Sequence, residues 1–238
     1  MGGHEVDILA FGAHPDDVEC AVGGTILIQL SLGYKVAIVD LSQGELGSYG
    51  TVNERSNESR NASELLGISH RENLGMPDGF IELSGPNKLS IIKTIRKYRP
   101  KIILANALND RHPDHHNAGR LVAEAAYLSG LVKIESTVDS IPQTPHRPVA
   151  VYHYIQDLYI EPDFVIDIST TFENKIKVIK AYKSQFIKPQ KVAPNGIMGL
   201  LDQIEATNSI FGRAINTEYA EGFVANRYVG TNNIMNLI

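Results

Sequence analysis

Hydrophobic and polar positions along the chain alternate between short apolar runs and longer amphipathic stretches. Val6 to Gly12 (VDILAFG) is an apolar run of strand length, followed by an acidic turn and by a helical segment from Gly24 to Leu32 that stops at Gly33. Lys35 to Leu41 (KVAIVDL) is a second run, so the chain opens as strand, helix, strand. The Gly- and Ser-containing stretch Ser42 to Thr51 predicts a loop, and Asn53 to Leu66 predicts a helix that Gly67 ends. Glu72 to Met76 is a weaker strand ahead of the turn-forming Pro77, Asp78 and Gly79. Leu89 to Tyr98 is amphipathic and is terminated by Pro100. Lys101 to Asn106 (KIILAN) is a further strand, leading into Asn109 to His116 and then a helix from Ala118 to Ser129.

Apolar strands alternating with helices predict a mainly parallel sheet covered on both faces, a doubly wound, Rossmann-like α/β fold. Beyond Gly130 the pattern weakens. Val149 to Ile155 and Phe164 to Ile168 read as strands, and Glu173 to Phe186 and Ile197 to Phe211 as helices, which together make a C-terminal extension of the sheet with capping helices. No internal repeat or linker divides residues 1–238, so one domain is expected. With 43% hydrophobic residues, 238 residues suffice for a sizeable core.

Charge and cysteine content narrow the function. Lys and Arg number 22 against 27 Asp and Glu, a formal charge of -5, and no basic run is present, which argues against a phosphate-contacting nucleic-acid surface. Cys20 is the only cysteine, so an intrachain disulfide and a thiolate zinc cluster are both excluded. The polar Met1 to Glu5 and the brief run after it do not read as a signal peptide, and no stretch approaches the roughly 20 apolar residues of a membrane helix. A soluble, cytoplasmic protein with no membrane partner is expected.

Two constellations carry the chemistry. Ala13-His14-Pro15-Asp16-Asp17-Val18-Glu19 stands where the first strand ends, and Asn109-Asp110-Arg111-His112-Pro113-Asp114-His115-His116 follows KIILAN. Aspartates at such places are also favoured as helix caps. The same His-Pro-Asp order after two different strands nevertheless points to one site, because open parallel sheets place their sites beyond the carboxyl ends of the strands. Two imidazoles and one carboxylate with a water in the open position form a hydrolytic zinc site, and His14, Asp17 and His115 can supply them. Iron(II) suits the same ligands. Asp16, beside Asp17, could receive the water's proton. His112, paired with Asp114, would be held protonated, fit to steady an oxyanion or to protonate a leaving amine.

These motifs resemble the LmbE-like, or PIG-L, superfamily of zinc-dependent N-acetylglucosamine deacetylases. The resemblance extends to Gly44-Glu45-Leu46-Gly47-Ser48, Thr51, Arg55 and Glu58 after the second strand. Ser184-Gln185-Phe186 and Tyr219-Ala220-Glu221-Gly222-Phe223 resemble the bacillithiol-biosynthesis branch, which implies N-acetylglucosaminyl malate as substrate. The resemblance implies His14, Asp17 and His115 as zinc ligands, Asp16 as general base and His112 with Asp114 as the electrostatic or acid pair. It also implies that Arg55 and Arg111 engage the sugar and the malate carboxylates, for which a guanidinium fork is suited, and that Arg147, in Pro145-His146-Arg147-Pro148, is a substrate-binding arginine reaching the site from the sheet extension. Thr207-Asn208-Ser209-Ile210 stands where that branch often carries an Arg before Phe211-Gly212. A homo-oligomer, hexameric in many relatives, is a further implication.

The alternatives are a deacetylase of another N-acetyl sugar, of chitobiose or mycothiol type, a nucleotide-binding Rossmann module, or a sugar-binding protein with a vestigial site. The nucleotide-binding module is disfavoured because two carboxylates replace the Gly-rich turn where pyrophosphate would sit, and no Walker A pattern is present.

Overall fold

The structure is a computed structural model that describes residues 4–187 and 199–237. The order of elements is β1 (Ile8–Gly12), α1 (Asp17–Ser31), β2 (Val36–Ser42), α2 (Val52–Leu66), β3 (His70–Met76), α3 (Gly85–Tyr98), β4 (Ile102–Ala105) and α4 (Pro113–Leu128). There follow β5 (Thr137–Val138), β6 (Ile141–Pro142), β7 (Ala150–Tyr154), β8 (Phe164–Asp167), α5 (Phe172–Ile179), α6 (Lys183–Phe186), α7 (Leu200–Ala214) and β9 (Ala220–Ala225).

Seven strands form one sheet in the order β3-β2-β1-β4-β7-β9-β8, and β5 pairs with β6 in a separate small hairpin. The strands from β3 to β7 run parallel, while β9 is antiparallel to both of its neighbours, β7 and β8. Successive strand residues point to opposite faces, so Leu9 and Phe11 of β1 enter one core, and Ile8 and Ala10 enter the other. The first core is completed by α3 and α4 through Ile91, Ile95, Leu121 and Val122. The second takes Val22 and Ile26 of α1 and Tyr182, just ahead of α6. The fold is therefore the doubly wound α/β sheet with a mixed extension. Its strand order reverses at β1, which opens a crevice beyond the carboxyl ends of β1 and β4. Among the described residues no helix is long and apolar enough to cross a membrane.

Several elements differ from the sequence pattern: β5 and β6 had no expected counterpart, and α4 begins at Pro113 rather than Ala118. Helix α1 begins at Asp17 rather than Gly24, and its backbone leaves helical geometry at Val22 (φ -134°, ψ 18°). The periodicity had marked only the limb after that break, whose freed Gly24 and Thr25 N–H groups donate to the Glu221 carboxylate at 2.9 and 2.7 Å. The segment Glu173 to Phe186 is two helices, α5 and α6, instead of one. Strand β9, which supplies Glu221, had no counterpart among the expected strands. Residues 197 and 198 of the last expected helix lie outside the described residues; α7 itself runs from Leu200 to Ala214.

Candidate metal centre and cavity

Gly12 closes β1, and a Cβ there would stand 3.0 Å from the His14 carbonyl oxygen and 3.2 Å from Asp17 Cβ, so the next residues fold back tightly over the strand end. Asp16 occupies the left-handed region (φ 113°), which is rare for a residue with a side chain and is found where function fixes the geometry. Its side chain makes no capping hydrogen bond to α1. The carboxylate instead lines a cavity, with Oδ2 3.2 Å from Arg55 Nη2. Asp17 opens α1, and its Oδ2 accepts the His14 N–H at 3.0 Å.

The second motif opens α4. His112 is the N-cap, its Nδ1 accepting the Asp114 N–H at 3.2 Å, and Pro113 begins the helix. Gly119 allows α4 to lie against the end of β4, since a Cβ there would come within 2.5 Å of the Asn106 carbonyl oxygen. That close approach brings His115 back over the sheet.

The two motifs meet. The ring centres of His14 and His115 are 5.4 Å apart, and His112 lies 4.8 Å from the first and 4.9 Å from the second. Each of the two buried imidazoles is anchored through one nitrogen. His14 Nε2 lies 2.9 Å from Asp78 Oδ1 and 3.3 Å from Asp114 Oδ2, and His115 Nδ1 lies 3.0 Å from Asp110 Oδ1. The other nitrogens turn to a common carboxylate, with His14 Nδ1 3.7 Å from Asp17 Oδ2 and His115 Nε2 3.3 Å from Asp17 Oδ1. A carboxylate behind each imidazole is the arrangement that orients histidines for metal binding. Among the described residues, the sets whose donor atoms all lie within 4.8 Å of one another are His14, His112 and His115, and separately His14, Asp78 and Asp114, rather than the expected set with Asp17.

The local field favours a cation. Burial works against a charged His14, yet the Asp114, Asp78 and Asp17 carboxylates raise it to about 9. Burial likewise opposes His115, which Asp17 and Asp110 raise to about 10. Burial alone would raise the Asp17 carboxyl, but His115 and His14 outweigh it and hold it below its ordinary value. A site that keeps protons on two buried imidazoles would equally stabilise a divalent cation on their neutral forms, so the residues fit a metal. Burial pushes Asp16 up to about 7 against the opposing pull of Arg55. His112 is lowered by burial and then by its two histidine neighbours.

The cavity measures about 470 Å³ and is lined by Asp16, Asp17, His14, His112, His115, Arg55 and Arg111 among others. Two expected contacts are not made within this chain. Arg147 lies outside it, its guanidinium 4.4 Å from the Tyr127 ring centre and its Nη2 donating to the Tyr127 carbonyl oxygen at 2.9 Å. The Asp114 carboxylate does not hold His112. It accepts the Gly79 and Ile81 N–H groups at 2.6 and 3.1 Å and faces His14, and its link to His112 runs through its own backbone N–H.

Several contributors were not singled out from the sequence. Asp78 had the signature of a Pro-Asp-Gly turn only. Asp110 had a detectable signal, since it precedes His115 by five residues in the same acidic loop. Asn106 closes the KIILAN run; its Nδ2 donates to Asp17 Oδ2 at 3.0 Å and to Gln156 Oε1 at 2.9 Å.

The PIG-L (GlcNAc-PI de-N-acetylase) family model matches residues 9–126. A diacetylchitobiose deacetylase of Thermococcus kodakarensis is 28% identical over 90% of this chain and 81% of its own length. A probable N-acetyl-alpha-D-glucosaminyl L-malate deacetylase of Bacillus cereus is 29% identical over 76% of this chain and 84% of its own. Among solved structures, a conserved protein of Thermus thermophilus superposes with a TM-score of 0.84 and 34% identity, covering 95% of this chain and 97% of that one. With two His-Pro-Asp turns converging on one metal-compatible cluster in a shared fold, the chain belongs to the PIG-L, LmbE-like deacetylase family.

Proposed function

We propose that the protein is a metal-dependent hydrolase that removes the N-acetyl group from an N-acetylglucosaminyl conjugate. The observation that carries this is that His14 Nδ1 and His115 Nε2 both face the Asp17 carboxylate, at 3.7 and 3.3 Å, with the Asp16 carboxylate in the same cavity. Those three residues would hold the ion, zinc or equally iron(II) by donor type. Bound there, such an ion supplies Lewis acidity that acidifies a water and polarises an amide carbonyl.

The chain's own groups do the rest. Asp16 takes the proton of the attacking water, its side chain held in the cavity by the left-handed backbone and by Arg55. His112 Nδ1 already accepts the Asp114 N–H, so a neutral His112 carries its proton on Nε2 and donates from there to the oxygen on which negative charge develops. Asp16 can return its proton to the departing amine. Names of relatives support two conjugates, the malate glycoside expected from the motifs and the disaccharide. The ion-pairing of Arg55 with Asp16 and of Arg111 with Asp157 favours the second.

Metal analysis and acetate release test the reading together. Asp16→Asn is expected to keep its metal and lose about 10²–10⁴-fold in kcat, whereas His115→Ala loses the metal. Undiminished turnover by Asp16→Asn, or full metal content in His115→Ala, would refute the assignment.

A further inference from the structure

Helix α7 forms one side of the cavity, remote in sequence from both His-Pro-Asp turns, and contributes a distinct surface. Leu200, Leu201 and Ile204 line the cavity from one face of the helix, and Phe186 of α6 and Ile155 beyond β7 adjoin them. Among the described residues, the charges on this side are acidic or neutralised. Asp202 of α7 lines the cavity, and Arg111 gives its Nη2 to Asp157 Oδ2 at 2.6 Å. Asp157 is itself fixed, with its N–H donating to Asp110 Oδ2 at 3.0 Å and its carbonyl accepting from Gln203 Nε2 of α7 at 2.5 Å.

We propose that this α7 face is a subsite for a neutral aglycone with an apolar face, such as a second hexose ring, and that it discriminates against a dicarboxylate. The inference rests on the deacetylase reading above. A sugar or aryl ring can lay its C–H face on the leucines and Ile204 and keep its polar edge towards water. A malate group placed there loses hydration of two carboxylates beside aliphatic side chains and next to Asp202, while the Arg111 guanidinium is already engaged by Asp157.

The test measures initial rates of acetate release by the metal-loaded protein from N,N'-diacetylchitobiose, N-acetylglucosaminyl malate and N-acetylglucosamine. The disaccharide is expected to exceed the malate glycoside in kcat/KM by at least about tenfold, mostly through KM. Asp202→Lys and Ile204→Arg, each verified as folded by thermal unfolding, are expected to shrink that ratio by lowering KM for the malate glycoside and raising it for the disaccharide. Equal or better kcat/KM for the malate glycoside in the unmodified protein overturns the subsite, and so do folded variants that leave the ratio unmoved. Acetate released from none of the three overturns the deacetylase reading itself. Should both variants fail to fold, the unmodified protein's ratio decides alone.

Discussion

A buried ion pair sits at the break in α1, the helix whose first residue is Asp17. Glu221 and Lys175 are both fully buried, with Lys175 Nζ 2.8 Å from Glu221 Oε1 and 2.8 Å from Asn208 Oδ1. Glu221 also accepts the two N–H groups that restart the helix after Val22, and the limb before that break begins with Asp17. Glu221→Gln removes the charge and leaves the Lys175 ammonium with Asn208 as a neutral partner. Removing one member of a buried pair costs about 3–5 kcal/mol, a large share of the roughly 5–15 kcal/mol that holds a domain folded. At about 2–4 °C per kcal/mol for a chain of this length, Tm should fall by roughly 6–20 °C. Lys175→Met should cost a similar amount by stranding the carboxylate. The double variant restores neutrality, so its loss should be smaller than the sum of the two by at least about 2 kcal/mol. Urea or thermal unfolding of the four proteins measures the cycle. Additivity to within about 0.5 kcal/mol would show that the pair does not act as a unit, and the account of the α1 break would fail with it.

Two further outcomes follow from neighbouring contacts. Asn106→Ala removes the amide that steadies Asp17 and should weaken metal binding about 10–100-fold in a chelator competition; unchanged affinity would mean that the hydrogen bond to Asp17 has no positioning role. His153 is buried with Nδ1 2.7 Å from the Asn106 carbonyl oxygen, and burial lowers its pKa below the ordinary 6.5. The folded protein keeps it neutral where the unfolded chain takes up a proton, so its contribution is present above about pH 6.5 and is lost as the pH falls towards the folded value, with a slope of at most about 1.4 kcal/mol per pH unit. His153→Asn should therefore flatten the fall of Tm between pH 7 and 5, and parallel curves would refute this.

What could be seen in the sequence, and what could not, follows from where each signal is created. β1, β2 and β4 are buried on both faces, so their apolar runs are unbroken, and the two His-Pro-Asp turns at their ends needed only the rule that parallel strands present their carboxyl ends to a site. β9 was hidden because Glu221 and Gly222 interrupt its apolar pattern for tertiary reasons. Glu221 serves the α1 break, and a Cβ at position 222 would come within 2.7 Å of the Phe211 ring. The first limb of α1 was hidden because its residues are chosen for the metal turn and for buried polar contacts, Glu19 with Tyr182 among them, rather than for periodicity. Arg147 is a different case, because its distance from the cluster of its own chain was legible from topology. It precedes β7, and β7 runs parallel to β4, so it lies at the amino end of the sheet while the cluster forms beyond the carboxyl ends. A guanidinium there would have to reach past the full length of a strand to meet substrate. The same directional test puts Arg111, which follows β4 and lines the cavity, on the side of the cluster, so strand direction separates two arginines that residue type alone cannot.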